Sequence, residues 1–484
     1  MSRAIYFFIG LLLFAGCARV PEKDLARTLE APSLQVSENT AFGKDFFERG
    51  EWLNEKWWEM FDDPQLTLLI ERALRDNYTL KKAHAQVEYS HQLANKQRSK
   101  LFPELSANYT EQWQYLSKYG FDRDFFPVPK NSPGQIPHTI NLLDLTLNFD
   151  YEFDFWGKNR DLFRAALGQA WADLAEEKQA QLVAAVMVAQ TYFSLQTKLS
   201  QRDIVRERLE ERKELLALTE LRNTIGLINA LPVFASDKEM HLVKQAIVFL
   251  EEGIDLDKHM LKYLVGMGPD ENLLETIPQA RFDKPFPLPN NISSDLLARR
   301  PDLMAQICRV ESAAKQIGAA QADFYPSVNL SAMGGLESLQ FSNLFRDSKM
   351  GGLMPAIHLP IFTGGRLRAN LRSKVAAFNE AVYAYNDLVL TAAKEVADQI
   401  VTVGSVIEGL KEQKYAFEDT FAQYELLFSR YAKGLDNYLT VLDSEEDVLQ
   451  QRFLLVGEYM DHLNSVLNLI KKLGGGYVSQ RSHD

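Results

Sequence analysis

The feature that most limits how this 484-residue chain can fold is that it repeats itself. Arg222, Gly226, Leu227, Asn229, Leu231, Val233 and Ser236 recur as Arg430, Gly434, Leu435, Asn437, Leu439, Val441 and Ser444, every pair at an offset of 208. Leu80 stands 23 residues before Pro103, and Leu303 stands 23 residues before Pro326. Trp156-Gly157-Lys158-Asn159-Arg160 is matched to Phe362-Thr363-Gly364-Gly365-Arg366 at an offset of 206. Chance identities do not keep so nearly constant an offset, and a repeat decides architecture before any local signal is read.

Each half then reads helix, strand, loop, strand, long helix, shorter helix. Leu66 to Lys100 is helical by composition, with Asp63-Pro64 marking its start. Arg160 to Arg222 holds no proline and one glycine, and Leu182, Val186, Ala189 and Phe193 keep helical spacing within it. At about 1.5 Å per residue such a helix is roughly 95 Å long, far beyond a globular one. Leu231 to Val265 follows, and the second half repeats the series with Ser294 to Asp323, Leu367 to Lys433 and Leu439 to Leu473. Leu449, Phe453, Val456, Met460, Leu463, Leu467 and Ile470 form a seven-residue seam, the spacing of coiled-coil packing. The expected divisions are a signal peptide (1–16), an extended N-terminal arm (17–61), the first repeat (62–273), a linker (274–293), the second repeat (294–473) and a tail (474–484).

The strands set the environment. From Leu143 to Phe155, Leu143, Leu145, Leu147, Phe149, Tyr151, Phe153 and Phe155 point one way. Asp144, Thr146, Asn148, Asp150, Glu152 and Asp154 point the other. No second apolar sheet exists to cover the greasy face, so an outer-membrane barrel, apolar outside and polar within, accounts for it better than a soluble sheet. Leu105 to Tyr115 alternates less cleanly because of Glu111. Leu353 to Ile361 carries Pro355 and Pro360 and should be short or irregular, and Val328 to Leu336 is the weakest strand. Four strands cannot close a barrel, and an open edge in lipid leaves backbone groups unsatisfied. Copies must pool their strands: two give eight and a filled interior, three give twelve and a passage.

The N-terminus fits that setting. Arg3 precedes the apolar run Ala4 to Phe14, too short to span a bilayer and laid out as a signal peptide. Leu13-Phe14-Ala15-Gly16-Cys17 resembles a bacterial lipobox, in which the residues before the cysteine are removed and Cys17 is acylated, palmitate being one such acyl group. A net charge of −12 argues against nucleic-acid binding. No His-Glu-x-x-His, Cys-x-x-Cys or phosphate-cradling glycine loop occurs, so neither catalysis, a metal nor a cofactor is expected. His84 and His91 share a helix face without a third ligand. Leu116 to Asn141, with four prolines, reads as a long loop over the barrel mouth.

These residues together resemble the TolC-type outer-membrane efflux proteins, in the lipoprotein branch serving resistance-nodulation-division pumps. The resemblance is carried by Trp57-Trp58, Phe61, Asp63-Pro64, Asn77, Leu80 and Tyr151-Glu152-Phe153-Asp154. In the second half its carriers are Arg299-Arg300-Pro301-Asp302, Pro360-Ile361-Phe362, Gly364-Gly365-Arg366 and Tyr431 to Asp443. It implies a mainly α fold with a membrane β-barrel: a homotrimer in which a twelve-stranded barrel sits on a long α-helical coiled-coil barrel. It further implies a periplasmic adaptor and an inner-membrane transporter as partners, and passive conduction of drugs, metal ions or other small molecules. A duct for protein secretion and a non-transporting periplasmic coiled-coil lipoprotein are the alternatives, the second leaving Leu143 to Phe155 without a purpose.

In that family, aspartates near the last hairpin narrow the tube's periplasmic tip. Tyr431, Gly434 and Val441-Leu442-Asp443 match the pattern, whereas Thr440 stands where an outer aspartate often occurs. The resemblance therefore assigns a gate to Asp443, with Tyr431 and Asp436 beside it. Plainer roles exist for each: Asp443 complements a helix dipole, Asp436 caps a helix and Tyr431 is an exposed aromatic. Asp144, Asp150, Glu152 and Asp154 give the barrel lumen a negative field, or form a solvated strand face.

Overall fold

The computed structural model describes residues 20–21, 23–42, 46–115, 139–272, 286–289 and 292–478. Cys17 with the residues before it, and the proline-rich stretch at 116–138, lie outside the described residues. In chain order the elements are α1 (Gln35–Phe42), β1 (Phe47–Gly50), α2 (Pro64–Asp76), α3 (Tyr78–Ser99), β2 (Glu104–Tyr115) and β3 (Thr139–Phe153). Then come α4 (Lys158–Thr224), α5 (Leu231–Leu264), β4 (Phe286–Pro289), α6 (Ile292–Arg299) and α7 (Pro301–Ala322). The chain ends with β5 (Ser327–Ser338), β6 (Lys349–His358), α8 (Arg366–Ala432) and α9 (Tyr438–Leu473). These fall into two compact units, one holding Tyr89–Ala170 and Arg309–Val382, the other Thr28–Glu88, Trp171–Cys308 and Tyr383–Asp484.

The long helices α4 and α8 are both 67 residues, and their ends repeat at an offset of 208. Gly157 and Gly365, both with left-handed φ (76° and 86°), stand immediately before them. The offset of 206 read at this corner is therefore corrected to 208, which aligns Gly157 with Gly365 and Arg160 with Arg368. Residue likeness misplaced the match by two, whereas the backbone turn into the helix fixes it.

Two expected helices are broken. Leu66 to Lys100 is α2 and α3, parted at Asn77, which ends one helix and starts the next. Its N–H donates to the Ala73 carbonyl (3.0 Å), its Oδ1 accepts from the Thr79 N–H (2.7 Å), and its Nδ2 donates to the Leu264 carbonyl (2.8 Å). Ser294 to Asp323 breaks at Arg300, just before Pro301, a residue suited to a first helical turn but not to an interior. Each break is touched by a glycine from the far end of its own half. A Cβ on Gly266 would lie 2.7 Å from the Asp76 carbonyl oxygen, and one on Gly474 would lie 2.1 Å from that of Arg299. The N-terminal arm departs from the extended form read for it: α1 is helical, and β1 pairs in parallel with β4 from the linker region. Segments of eight and four residues are too short to show a period.

In the unit containing α2, Trp57, Trp58 and Phe61 are buried, with Phe61 against Phe193 at 5.0 Å between ring centroids. Asp63 caps α2 by accepting from the Gln65 and Leu66 N–H groups (2.9 and 3.0 Å) and takes a third bond from the Tyr192 hydroxyl (2.8 Å). In the other unit, β2-β3-β5-β6 form one antiparallel sheet. The register carries the apolar face of β3 across all four strands, while the opposite face, polar on most of β2 and β3, also holds Met333 of β5 and Met350, Met354 and Ala356 of β6. Tyr109 faces Leu145, Leu145 faces Leu336, Phe149 faces Ala332, and Ala332 faces Leu353. Glu111 lies on this apolar face toward the 116–138 end, where Asn141 Nδ2 (3.0 Å) and the Tyr109 hydroxyl (3.2 Å) donate to it. β6 runs ten residues with Pro355 paired opposite Leu330, longer than the prolines suggested, because an outer strand tolerates a missing N–H. No described helix is long and apolar enough to cross a membrane.

Candidate functional site

Two regions hold the residues singled out by sequence. The first is the polar face of the sheet. Asp144 lies opposite Thr110 and Glu337, and Asp150 opposite Glu104 and Ser331. Ser331 Oγ donates to Asp150 (2.6 Å) and Asn159 Nδ2 to Glu152 (3.4 Å), while Asp144 Oδ1 is buried without a hydrogen-bond partner among the described residues. Asp154 does not join them. The strand ends at Phe153, and the Asp154 carboxylate accepts from the N–H groups of Asn159 (3.0 Å) and Arg160 (2.9 Å) and from Arg160 Nε (3.1 Å). It lies beyond the strand, and a carboxylate beside the free N–H groups of a starting helix is a cap.

The second region is the hairpin joining α8 to α9. The Leu435 N–H returns to the Arg430 carbonyl (3.0 Å) and the Gly434 N–H to that of Tyr431 (2.8 Å), while Asn437 caps α9 by accepting from the Thr440 N–H (3.0 Å). Asp436 is therefore not the cap. It is ion-paired across the turn with Arg430 (Nε to Oδ2, 2.5 Å), whose guanidinium holds its carboxyl below the usual range. The Tyr431 ring lies 5.2 Å from that of Tyr438. The Tyr438 hydroxyl donates to Glu214 (2.9 Å), a bond that pushes it up to about 12. Asp443 is exposed, and its carboxylate makes no hydrogen bond or ion pair among the described residues. The matching hairpin after α4 carries Ile228 and Ala235 where this one carries Asp436 and Asp443, so the acidity belongs to the second half alone.

Behind Asp443 lies a cluster that the sequence reading missed. From α4, Arg208 binds Glu446 of α9 through two nitrogens, and Arg212 reaches the same carboxylate (3.1 Å). Glu211 sits among them, 5% exposed, with Arg212 Nε at 3.3 Å and no hydrogen bond to either carboxylate oxygen. Burial pushes its carboxyl up to about 7, against the pull of Arg212, and Glu446, Glu445 and Asp443 add to the rise. Glu211 could not be found by spacing, since Glu-Glu-Arg in a long helix normally marks a solvated face.

The Arg299-Arg300-Pro301-Asp302 motif proves structural. The buried Arg300 guanidinium binds Asp302 (2.7 Å) and Glu395 (3.1 Å), and Lys472 closes on the same Glu395. Bidentate, fully paired arginine of this kind is what a buried position requires.

Each half thus contributes one 67-residue helix and two strands of the four-stranded sheet. The family model described as outer membrane efflux protein matches residues 69–266 and 292–475, most of both halves. The chain belongs to the outer membrane efflux protein family. Among its relatives, the probable efflux pump outer membrane protein SepC of Pseudomonas putida is 32% identical over 87% of this chain and 85% of that one. The multidrug resistance outer membrane protein MdtP of Escherichia coli is 28% identical over 96% and 94%. Among solved structures, the outer membrane protein VceC of Vibrio cholerae is 31% identical, with a TM-score of 0.75 over 88% of this chain and all of that one. The CmeC channel of Campylobacter jejuni, at 21% identity and a TM-score of 0.83 over 96% of each chain, supports the TolC-type fold alone.

Proposed function

We propose that three copies of this efflux channel assemble around one axis and conduct small molecules passively outward across the outer membrane. The observation that carries this reading is the register: it aligns Leu105, Tyr109, Leu145, Phe149, Ala332, Leu336, Leu353 and Ile357 on one face of the sheet and Asp144, Asp150 and Glu152 on the other, and among the described residues β2 and β6 each keep an unpaired edge. In lipid such edges must pair, and twelve pooled strands enclose a passage. A periplasmic adaptor and an inner-membrane transporter supply selection and energy. The cargo is of the small organic, drug or metal-ion class. The lumen is lined by Asp144, Asp150 and Glu152. Asp443, free of partners and opening the last helix, supplies a carboxylate ring at the closed end, with Tyr431 and the Arg430–Asp436 pair holding the hairpin's shape.

Planar-bilayer recording tests this. The purified protein should give a low-conductance, cation-preferring channel blocked by multivalent cations from the periplasmic side. Asp443→Asn should weaken the block with conductance still low, since neutralising a ring does not part the helices. Unchanged block in Asp443→Asn together with altered block in Asp150→Asn would move the selective site into the barrel.

A further inference from the structure

The duplication allows each strand-to-helix corner to be compared with its twin. At the first corner the charges are balanced within the chain: Lys158 pairs with Asp323 (3.1 Å) and Arg160 with Asp154 (3.1 Å). Under the 208 offset of the long helices, the twins of Lys158, Arg160 and Asp154 are Arg366, Arg368 and Phe362. Under the 223 offset that carries Pro103 to Pro326, the twin of Asp323 is Lys100. Both acids have thus been replaced, one by a phenylalanine and one by a lysine. Lys100, Arg366 and Arg368 are exposed, and their side chains make no ion pair or hydrogen bond among the described residues.

The geometry of the repeat brings these cations together. Lys158 and Asp323 meet because β3 pairs with β5, so that the end of α7 lies beside the start of α4. The twin of that junction is β6 against β2, which a single chain leaves unpaired at both edges. When copies close the sheet, Arg366 and Arg368 of one copy come beside Lys100 of the next. Three cations then gather with no acid from these positions, two of them in the first turn of α8, where the helix dipole already disfavours positive charge. Like charges so placed repel unless an anion joins them.

The surroundings indicate which anion. Ile361 and Phe362 are 80% and 91% exposed, and Phe102, just after Lys100, is 59% exposed. Next to them along the chain, Ile357 and Leu353 on β6 and Leu105 on β2 are exposed on the apolar face of the sheet. A free inorganic ion would have no use for that apolar rim, whereas a phospholipid presents a phosphate and acyl chains at the same depth. We infer that each junction between copies, at the helix end of the barrel, holds the phosphate of an anionic phospholipid on Lys100, Arg366 and Arg368, with its acyl chains against Phe102, Ile361 and Phe362. This rests on closure of the sheet by copies of the chain.

Native mass spectrometry of the delipidated full-length protein in detergent separates the two readings. Offered phosphatidylglycerol or phosphatidylcholine of equal acyl length, the three-copy species should retain up to three phosphatidylglycerol molecules and release phosphatidylcholine. Arg368→Gln, and separately Lys100→Gln, should weaken that retention about tenfold. Arg164→Gln, which alters a cation already paired with Asp161, should leave it unchanged. Three copies that retain neither lipid, or retain both equally, overturn the site while sparing the assembly. Phosphatidylglycerol displaced by millimolar inorganic phosphate would show a free-anion site in place of a lipid one. If Lys100→Gln or Arg368→Gln instead disperses the copies with no lipid present, the cations bind a neighbour's carboxylates and the proposal fails. A single-copy mass for the unaltered protein overturns the closure itself.

Discussion

At the scale of single residues, what matters is less which side chain is charged than whether the fold leaves it a partner. Asp154, Asp436 and Asp443 look alike in sequence. One caps α4, one is tied to Arg430, and one is left to the surroundings. Glu211 makes the sharpest prediction. Its folded-state carboxyl lies at about 7, above the ordinary value of 4.5 that the unfolded chain would show. The folded state thus holds the proton more tightly. The neutral form is accommodated fully below about pH 4.5, and stability is lost as pH rises from there through 7. Glu211→Gln should remove that loss, gaining about 1–3 kcal/mol on the unaltered chain at pH 8 and little at pH 5. Thermal unfolding at both pH values measures it, and an equal gain at both would mean that Glu211 is not the titrating group.

Among the elements, the sheet carries the strongest commitments. Leu147 lies opposite Ala107 and Gly334 on the apolar face, and Asn148 opposite Ser106 and Met333 on the other. Single cysteines at 148 and 150, on a Cys308→Ser background, should react with a membrane-impermeant thiol reagent, and those at 147 and 149 should not. Leu147→Arg near the midplane should cost about 2–4 kcal/mol of folding stability in vesicles. Equal labelling at odd and even positions would refute the lipid-facing assignment. The helices are less demanding. Of the seam on α9, Leu449, Leu463, Leu467 and Ile470 are buried within the chain.

For the whole molecule, the N-terminus supplies a test independent of the barrel. Val20 packs against the cluster of Ile317, Phe324, Leu367 and Leu371, and the Ala26 N–H donates to Asn379 (2.8 Å). At Val20 the chain lies against the first turns of α8. Intact-mass measurement of membrane-extracted protein should show loss of residues 1–16 and added acyl mass on Cys17, both absent from Cys17→Ala. A mature chain that keeps Phe14 to Gly16 would exclude the anchor, and the variant's survival in the membrane would show how far the barrel holds by itself.

The sequence by itself determined the repeat, the long helices to within about two residues of their ends, and the apolar alternation of β3. Each of these is written in local periodicity, or in identities that need no knowledge of the fold. Asp443 is marked by the family resemblance of Tyr431, Gly434 and Val441-Leu442-Asp443, whereas its place at the start of a helix by itself suits only a partner for the helix dipole. The tertiary structure decided the rest. At the break at Asn77 the side chain bonds the Leu264 carbonyl, 187 residues away in sequence, and Gly266 and Gly474 pass too close to Asp76 and Arg299 to carry a side chain. The two-residue shift at the α8 corner follows from backbone dihedral angles. Whether Glu211 is solvated or buried depends on α9, more than two hundred residues later, lying against it. Such properties come from pairing segments distant in sequence, and no window along the chain contains both partners.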